Sequence, residues 1–267
     1  MKQLTLIALI MLLAFATHAK ADSFADVIIS EKTKIIQENR NDWSAYKERG
    51  NAYFDKRDYD RAILDYTEAI RLYSFDVESY AMRGQCYNNK GDKNLCLKDY
   101  KKVVPYYEEK IQQHTSEPEI YRILGMAYVC LGEYDKAIDI MNEAIKIIPE
   151  NASLYNIRGI AYKNKKDFAR AIEDYTQAIE LDPKSDFHYI NRGVIHAINK
   201  EYDKAIIDWE LALRLRPYNL KAYYNLGATY FLKKDYDNAR KNLLECLYIN
   251  PNYKKAQELL DEVNDAI

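Results

Sequence analysis

The fold is decided by the stretch 152–185, which reads ASLYNIRGIAYKNKKDFARAIEDYTQAIELDPKS. Its first half places residues on one helical face at the i, i+4, i+7 spacing: Tyr155, Gly159 and Tyr162. Asp167 is a good N-cap for a second helix, and Pro183 stops that helix because it disfavours helical geometry in the residue before it. The second helix has its own facing stripe, formed by Ala171, Tyr175 and Ala178. The stretch therefore predicts a helical hairpin with two facing apolar stripes.

The same pattern recurs along the chain with a period of about 34 residues. Glycines mark it at Gly50, Gly84, Gly125, Gly159, Gly193 and Gly227, and only the step from Gly84 to Gly125 is longer. Prolines keep the period at Pro149, Pro183, Pro217 and Pro251, and alanines at Ala62, Ala137, Ala171, Ala205 and Ala239. Several residue types sharing one period indicate a repeat protein.

This pattern closely resembles the tetratricopeptide repeat, a helix-turn-helix unit of about 34 residues. The resemblance implies an all-α fold, a right-handed superhelical solenoid of hairpins with a concave groove. It assigns six repeats, at 43–76, 77–117, 118–151, 152–185, 186–219 and 220–253. The second matches least well, since Cys96 and Val103 replace its alanines. That repeat also contains a seven-residue insertion between Val103 and Pro118, in which Pro105 should kink or interrupt the helix.

The flanks of the repeat array are predicted to be capping helices, at 22–42 and 254–267. Each has an amphipathic pattern, for example Ala256, Leu259, Leu260 and Val263. The terminal hairpins of a solenoid need such caps because an apolar face would otherwise stay in water.

The segment 1–21 reads as a secretory signal peptide. Lys2 is followed by an uncharged, mostly apolar run from Leu4 to Ala16, and Ala19-Lys20-Ala21 offers the small residues of a cleavage site. A retained N-terminal anchor is the alternative interpretation. No other segment approaches the length of a membrane span. We therefore expect a mature protein without a membrane span, secreted across a membrane, with a bacterial periplasm as the best fit.

Composition and motifs exclude several classes of function. The net charge is -2 and the pI is about 6.2, so a nucleic-acid surface has no electrostatic support. The sequence contains no zinc-protease motif, phosphate-binding glycine loop or nucleophile elbow. His188 and His196 share a helical face, but no third ligand accompanies them, so we predict no metal site. The sequence thus predicts a protein that is not an enzyme and has no cofactor.

Differences between the repeats point to ion pairs in four of them. Repeats one, two, four and five carry arginine just before the glycine and aspartate sixteen residues later. The pairs are Arg49 and Asp65, Arg83 and Asp99, Arg158 and Asp174, and Arg192 and Asp208. Repeats three and six lack both, with Leu124 and Leu226 at the arginine site. We predict a bridge between the two helices of each hairpin. A row of arginines that binds an anionic ligand is the alternative.

The groove sites of the family become apolar from repeat three onward. The predicted partner-binding residues are Met126, Val129, Ile160, Phe187, Ile190, Val194, Ile198, Tyr224, Phe231 and Leu232. An exposed apolar stripe usually marks a contact surface. The alternative is that the superhelix itself, or a flank, buries these side chains.

Members of the family that bind chaperone tails hold a carboxylate with a set of basic and amide residues. Lys47 and Asn51 match two of those sites, whereas Met82, Glu119 and Ile123 do not match the others. The comparison argues against that clamp. The sequence instead predicts a non-catalytic scaffold that binds a protein or peptide partner in the groove. A small-molecule or peptide carrier of an envelope transport system, using the same groove, is the alternative, and the oligomeric state is left open.

Overall fold

The computed structural model describes residues 24–113 and 117–267, and within them the regular structure is α-helix throughout. The predicted signal segment, 1–21, lies outside the described residues. The chain divides into two compact units, which meet in sequence after Thr115. We call them the N-terminal unit and the C-terminal unit.

The described part of the N-terminal unit, residues 24–113, contains a capping helix and two hairpins. Its helices are α1 at 24–38, α2 (Trp43–Asp55), α3 (Tyr59–Leu72), α4 (Val77–Lys90) and α5 (Lys93–Gln112). The helices α2 and α3 form the first hairpin and α4 and α5 the second, while α3 packs against α4.

The C-terminal unit contains four hairpins and a final helix. Its helices are α6 (Pro118–Leu131), α7 (Tyr134–Ile147), α8 (Ala152–Asn164), α9 (Phe168–Leu181), α10 (Asp186–Ile198), α11 (Tyr202–Leu215), α12 (Leu220–Leu232), α13 (Tyr236–Ile249) and α14 (Lys254–Asp265). The first helices α6, α8, α10 and α12 contact one another in order, and α12 contacts α14. The hairpins therefore stack so that their first helices form one continuous layer.

The turn within each hairpin is fixed by one left-handed residue. Lys166 has a φ of 64° in repeat four, and glycine takes this conformation at Gly91 and Gly132. The next residue, Asp167, donates its backbone N–H to the Tyr162 carbonyl at 2.9 Å, and its side chain accepts from the Arg170 N–H as an N-cap. The tight turn brings the two helices of the hairpin together.

Glycine in the first helix allows the second helix to pack closely. A Cβ atom at Gly159 would lie 2.8 Å from the Tyr175 ring, and one at Gly193 would lie 2.7 Å from the Trp209 ring. The periodic alanines are fully buried opposite these sites, as at Ala171. The recurrent small residues are therefore core residues.

The flanking helices cap the array, although the first does so incompletely. On α14, Ala256, Leu260 and Val263 are buried and the charged residues point outward. On α1, however, Phe24 and Val27 remain 70% and 61% exposed.

The extended second helix of repeat two contains the proline that was expected to kink or interrupt it. Helix α5 continues through Pro105 to Gln112, so the proline does not interrupt it. Of the two tyrosines that follow, Tyr106 is 42% exposed and Tyr107 is buried.

Candidate functional site

The candidate site is the outer surface of the first-helix layer in the C-terminal unit, which we call the first-helix face. Each hairpin turns its second helix to the opposite side, and α8, α10 and α12 also pack on the second helix of the hairpin before them. Only one side of these first helices is therefore left to carry a contact surface.

The structure places nine of the ten predicted groove residues at least partly in solvent. Phe187, Ile198 and Leu232 are 39%, 50% and 57% exposed. Six more are half-buried: Met126, Val129, Ile160, Val194, Tyr224 and Phe231. Within the predicted set, the side chains that are most exposed lie on α10 and on the C-terminal turn of α12.

Ile190 corrects the predicted set. Its side chain is only 6% exposed and belongs to a buried cluster with Trp209 of α11 and Ala222 and Leu226 of α12. Because the neighbouring helix covers this turn of α10, Ile190 contributes to the core rather than to a binding surface.

The first-helix face also has polar features between its apolar side chains. The Asn191 amide donates to Asn156 Oδ1 at 3.0 Å and links α10 to α8. Lys163, one turn beyond Ile160, is half-buried. Burial lowers the pKa of Lys163, and the neighbouring charge of Lys221 lowers it further. The face thus carries polar groups, among them Asn156, Asn191 and Lys163, between its apolar side chains.

The corresponding surface of the N-terminal unit is more polar, and its lysine is paired. Lys47 donates to Glu78 Oε2 at 2.7 Å, and its ammonium group lies 5.2 Å from the centre of the Trp43 ring. The Tyr66 hydroxyl donates to Asn51 Oδ1 at 2.7 Å. Both residues that matched the chaperone-tail sites, Lys47 and Asn51, therefore have partners within the protein.

The equivalent tyrosine of the C-terminal unit lacks such a partner. Ile160 occupies the position of Asn51, and the buried Tyr175 hydroxyl has no hydrogen bond among the described residues. Burial raises the pKa of Tyr175 well above its usual range, so its hydroxyl stays neutral. Isoleucine in place of asparagine makes the face apolar at this position. It also leaves the buried Tyr175 hydroxyl without a hydrogen-bond partner in the described part of the chain.

The structure brings together all four arginine–aspartate pairs in the same geometry. Arg49 donates from Nε and Nη2 to the two oxygens of Asp65, at 2.8 and 2.7 Å. The other Nη2–Oδ1 distances are 2.8 Å for Arg83 and Asp99, 2.7 Å for Arg158 and Asp174, and 2.7 Å for Arg192 and Asp208. The guanidinium and carboxylate groups of each pair thus bind each other within one hairpin. The arginines therefore do not form an open site for an anionic ligand.

Each of these arginines also reaches the preceding helical element, which the sequence reasoning missed. The Nη1 group of Arg83 donates to Thr67 Oγ1 at 3.0 Å, and that of Arg192 donates to Thr176 Oγ1 at 3.2 Å. Thr33 and Asn142 accept in the same way from Arg49 and Arg158. A threonine or asparagine sixteen residues before the arginine is the sequence signal that could have revealed this link.

A second set of ion pairs links four of the hairpins to the helix that precedes each of them. A lysine at the end of a first helix pairs with an aspartate thirty residues earlier, as Lys56 does with Asp26 at 2.6 Å. Lys90 with Asp60, Lys165 with Asp135, and Lys233 with Asp203 form the equivalent pairs. These exposed pairs contribute little stability individually, but they give the lysine at this site a carboxylate in four of the repeats.

The histidines and the free cysteines that the structure describes are buried in the core of the hairpins. His196 Nδ1 lies 2.7 Å from Glu201 Oε2, and the ring is buried where other repeats have tyrosine. His188 is buried, and burial lowers its pKa. Burial raises the pKa of the Cys86 thiol to about 12 and that of Cys246 to about 11, so neither is a ready nucleophile. Within the described residues, no cluster of His, Cys, Asp or Glu suits a metal ion.

Family models of the tetratricopeptide repeat match most of the chain. They align with residues 43–76, 77–108, 118–151, 152–185, 174–207 and 220–259. The chain therefore belongs to the tetratricopeptide repeat family, whose members are generally non-catalytic scaffolds for protein and peptide partners. No curated protein matches the sequence significantly. No helix among residues 24–113 and 117–267 has the length and apolar character to cross a membrane.

Solved structures share the fold at low sequence identity. A tetratricopeptide repeat protein from Parabacteroides merdae is 14% identical, with a TM-score of 0.65, covering 94% of this chain and 98% of its own. The Cut9–Hcn1 hetero-tetramer of the APC/C gives 18% identity and a TM-score of 0.64, covering 90% of this chain. This chain spans only 46% of that one. MamA gives 24% identity and a TM-score of 0.50, covering 68% of this chain and 96% of its own.

Proposed function

We propose that this protein is a non-catalytic scaffold that binds a segment of a partner protein on the first-helix face of its C-terminal unit. The observation that carries the proposal is the exposure of Phe187, Ile198 and Leu232 on the layer of first helices. Burial of apolar surface in a partner interface is favourable at about 25 cal/mol per Å². Exposed apolar side chains next to half-buried ones suit anchors for such a segment.

The test compares two isoleucines of repeat five that have similar exposure but lie on different helices. Ile198, on α10, is 50% exposed, and Ile207, on α11, is 56% exposed. Ile198→Glu should abolish partner capture from the native cell-envelope fraction, whereas Ile207→Glu should leave it intact. Unchanged helix content in both variants, measured by circular dichroism, excludes misfolding as the cause. Equal capture by the two variants would reject the first-helix face as the site.

We also propose that the protein acts outside the cytoplasm, in a bacterial periplasm. The support is the signal-like pattern of residues 1–21, in which a short apolar run precedes Ala19-Lys20-Ala21. Osmotic-shock fractionation of native cells, with mass spectrometry of the N-terminus, tests this. A mature chain that begins at Asp22 in the shock fluid is expected, and an uncleaved chain in the cytoplasm would contradict it.

A further inference from the structure

His188 is a buried histidine in the first turn of α10, at a site where the other repeats have no titratable side chain. Only 5% of the residue is exposed. The Nδ1 atom of its ring is buried without a hydrogen-bond partner in the described part of the chain. The equivalent residues of the other repeats are small or apolar: Ala45, Ser79, Ile120, Leu154 and Ala222.

The first turn of α10 connects hairpin five to both of its neighbours. Helix α10 packs against α9 of the preceding hairpin. Asp186, two residues before His188, accepts a hydrogen bond of 2.7 Å from the side chain of Asn219, which is the N-cap of α12 in the following hairpin. A charge that appears inside this turn therefore acts where three hairpins meet.

Three features of the site oppose a positive charge on the His188 ring. Burial disfavours the charged form and lowers the pKa of His188. His188 is the third residue of α10, where the positive end of the helix dipole repels a cation. A protonated ring donates from both nitrogens, and Nδ1 has no acceptor among the described residues.

Two carboxylates act in the opposite direction but do not cancel the effect of burial. Asp182, the C-cap of α9, and Asp186, on the same helix as His188, favour the charged ring. Asp186 is already engaged, because Asn219 binds its Oδ2 atom and Arg216 Nε lies 4.0 Å from the same oxygen. Helices α8, α11 and α12 also pack against α10, but no charged group in their described residues adds to the shift in the pKa of His188.

We infer that the first turn of α10 is an acid-sensitive joint, in which protonation of His188 loosens the packing of hairpin five on its neighbours. The inference concerns the fold and does not depend on the proposed function. In the unfolded chain the ring has its ordinary pKa of 6.5 and takes up a proton more readily than in the folded protein. The stability linked to His188 is therefore present above pH 6.5 and is lost as the pH falls below it.

Urea unfolding at pH 7.5 and at pH 5.0 tests the inference. His188→Leu copies the fully buried Leu154 of repeat four, and His188→Ala copies Ala222 of repeat six in case leucine does not fit. Between the two pH values, the unfolding equilibrium constant should rise about tenfold more in the native protein than in either variant. The comparison cancels the carboxylates and the other histidines, since they titrate in all three proteins. An equal rise in the native protein and in the folded variants would overturn the inference.

His196, about two turns later on the same helix, supplies the matched control. Its Nδ1 lies 2.7 Å from Glu201 Oε2 and its Nε2 lies 3.9 Å from Asp208 Oδ2, so carboxylates face both ring nitrogens. His196→Tyr installs the residue that the other repeats have at this site, and it should keep the rise at acidic pH. A rise that disappears in His196→Tyr but survives in His188→Leu would overturn the inference.

Hydrogen exchange followed by mass spectrometry locates the loosening within the fold. After correction for the pH dependence of intrinsic exchange, the change from pH 7.5 to pH 5.0 should lower the protection of α10 amides about tenfold more than that of α3 amides. His188→Leu should abolish this difference between the two helices. Equal losses of protection in α10 and α3 of the native protein would show that acid weakens the hairpins alike, and would overturn the inference.

Discussion

The two units use the same scaffold but present different surfaces on their first helices. In the N-terminal unit, Lys47 is paired with Glu78 and Asn51 holds the hydroxyl group of Tyr66. In the C-terminal unit, Ile160 replaces the asparagine and Lys163 has no carboxylate partner among the described residues. The comparison teaches that the small residues and close helix packing recur in both units, whereas the arginine–aspartate pair is absent from two hairpins, those with Leu124 and Leu226. The first-helix face remains free to vary.

Removal of one partner from an arginine–aspartate pair should have the largest effect on stability, and the loss should be similar in both units. Asp174 is 4% exposed, and burial raises its pKa, while the hydrogen bonds from Arg158 act in the opposite direction. Asp174→Asn leaves the guanidinium group without a counter-charge and should cost about 3 kcal/mol of unfolding free energy. Asp65→Asn should cost about the same, as measured by urea unfolding, because the geometry of the two pairs is shared.

The chain supplies its own control for this prediction. Repeat three has Leu124 and Ile140 at the positions of Arg158 and Asp174. The double variant Arg158→Leu with Asp174→Ile imports that apolar pair and should be more stable than Asp174→Asn, since no buried charge remains unpaired. If the double variant loses as much as the sum of both single losses, the pair has no energetic coupling and the prediction is wrong.

Replacement of a first-helix glycine by alanine should change the stability less. The change should be a loss at Gly159 in the C-terminal unit and a gain at Gly84 in the N-terminal unit. At Gly159 the added Cβ would lie 2.8 Å from the Tyr175 ring, while at Gly84 its nearest neighbour would be 3.4 Å away. Overpacking should make Gly159→Ala less stable by about 1–2 kcal/mol. Gly84→Ala has room and should gain up to about 1 kcal/mol from helix propensity.

Urea unfolding of both alanine variants checks the contrast. Gly50→Ala is a third case, because its Cβ would lie 2.9 Å from Tyr66 and should behave like that of Gly159. The change in stability would then depend on the distance from the added Cβ to its nearest neighbour and not on which unit contains the glycine. Destabilisation of Gly84→Ala by as much as Gly159→Ala would show that glycine is required for another reason.

The sequence predicted the hairpins well because each of their determinants is local. Asp167 was identified as an N-cap, and helix α9 begins at the next residue, Phe168. The arginine–aspartate pairs could also be predicted from the sequence, since Arg158 and Asp174 occur together at a spacing that three other repeats share. Such features repeat in several hairpins, so one chain contains several independent examples of each.

Features that depend on a neighbouring element were harder to predict. Ile190 occupies a groove site by position but is covered by α12, and the sequence of α10 gives no sign of this contact. Pro105 was expected to kink or interrupt its helix, and α5 continues past it without interruption. Whether Lys163 finds a carboxylate depends on what other helices place near it. In the cases of Ile190 and Lys163, the deciding residues lie far away in the sequence.

The smallest expected effects come from exchanging the residues that distinguish the two first-helix surfaces. Asn51→Leu removes the acceptor of the buried Tyr66 hydroxyl and should cost about 1–2 kcal/mol. Ile160→Asn offers an acceptor to the Tyr175 hydroxyl, and this gain should offset most of the loss of a half-buried isoleucine, so stability should change by less than about 1 kcal/mol. Ile160→Asn should nevertheless weaken capture of the partner, because it makes the surface polar. Urea unfolding and partner capture, measured on the same preparations, would contradict the comparison if Asn51→Leu were neutral and Ile160→Asn captured the partner normally. In that case the difference between the two surfaces would have no consequence for stability or for binding.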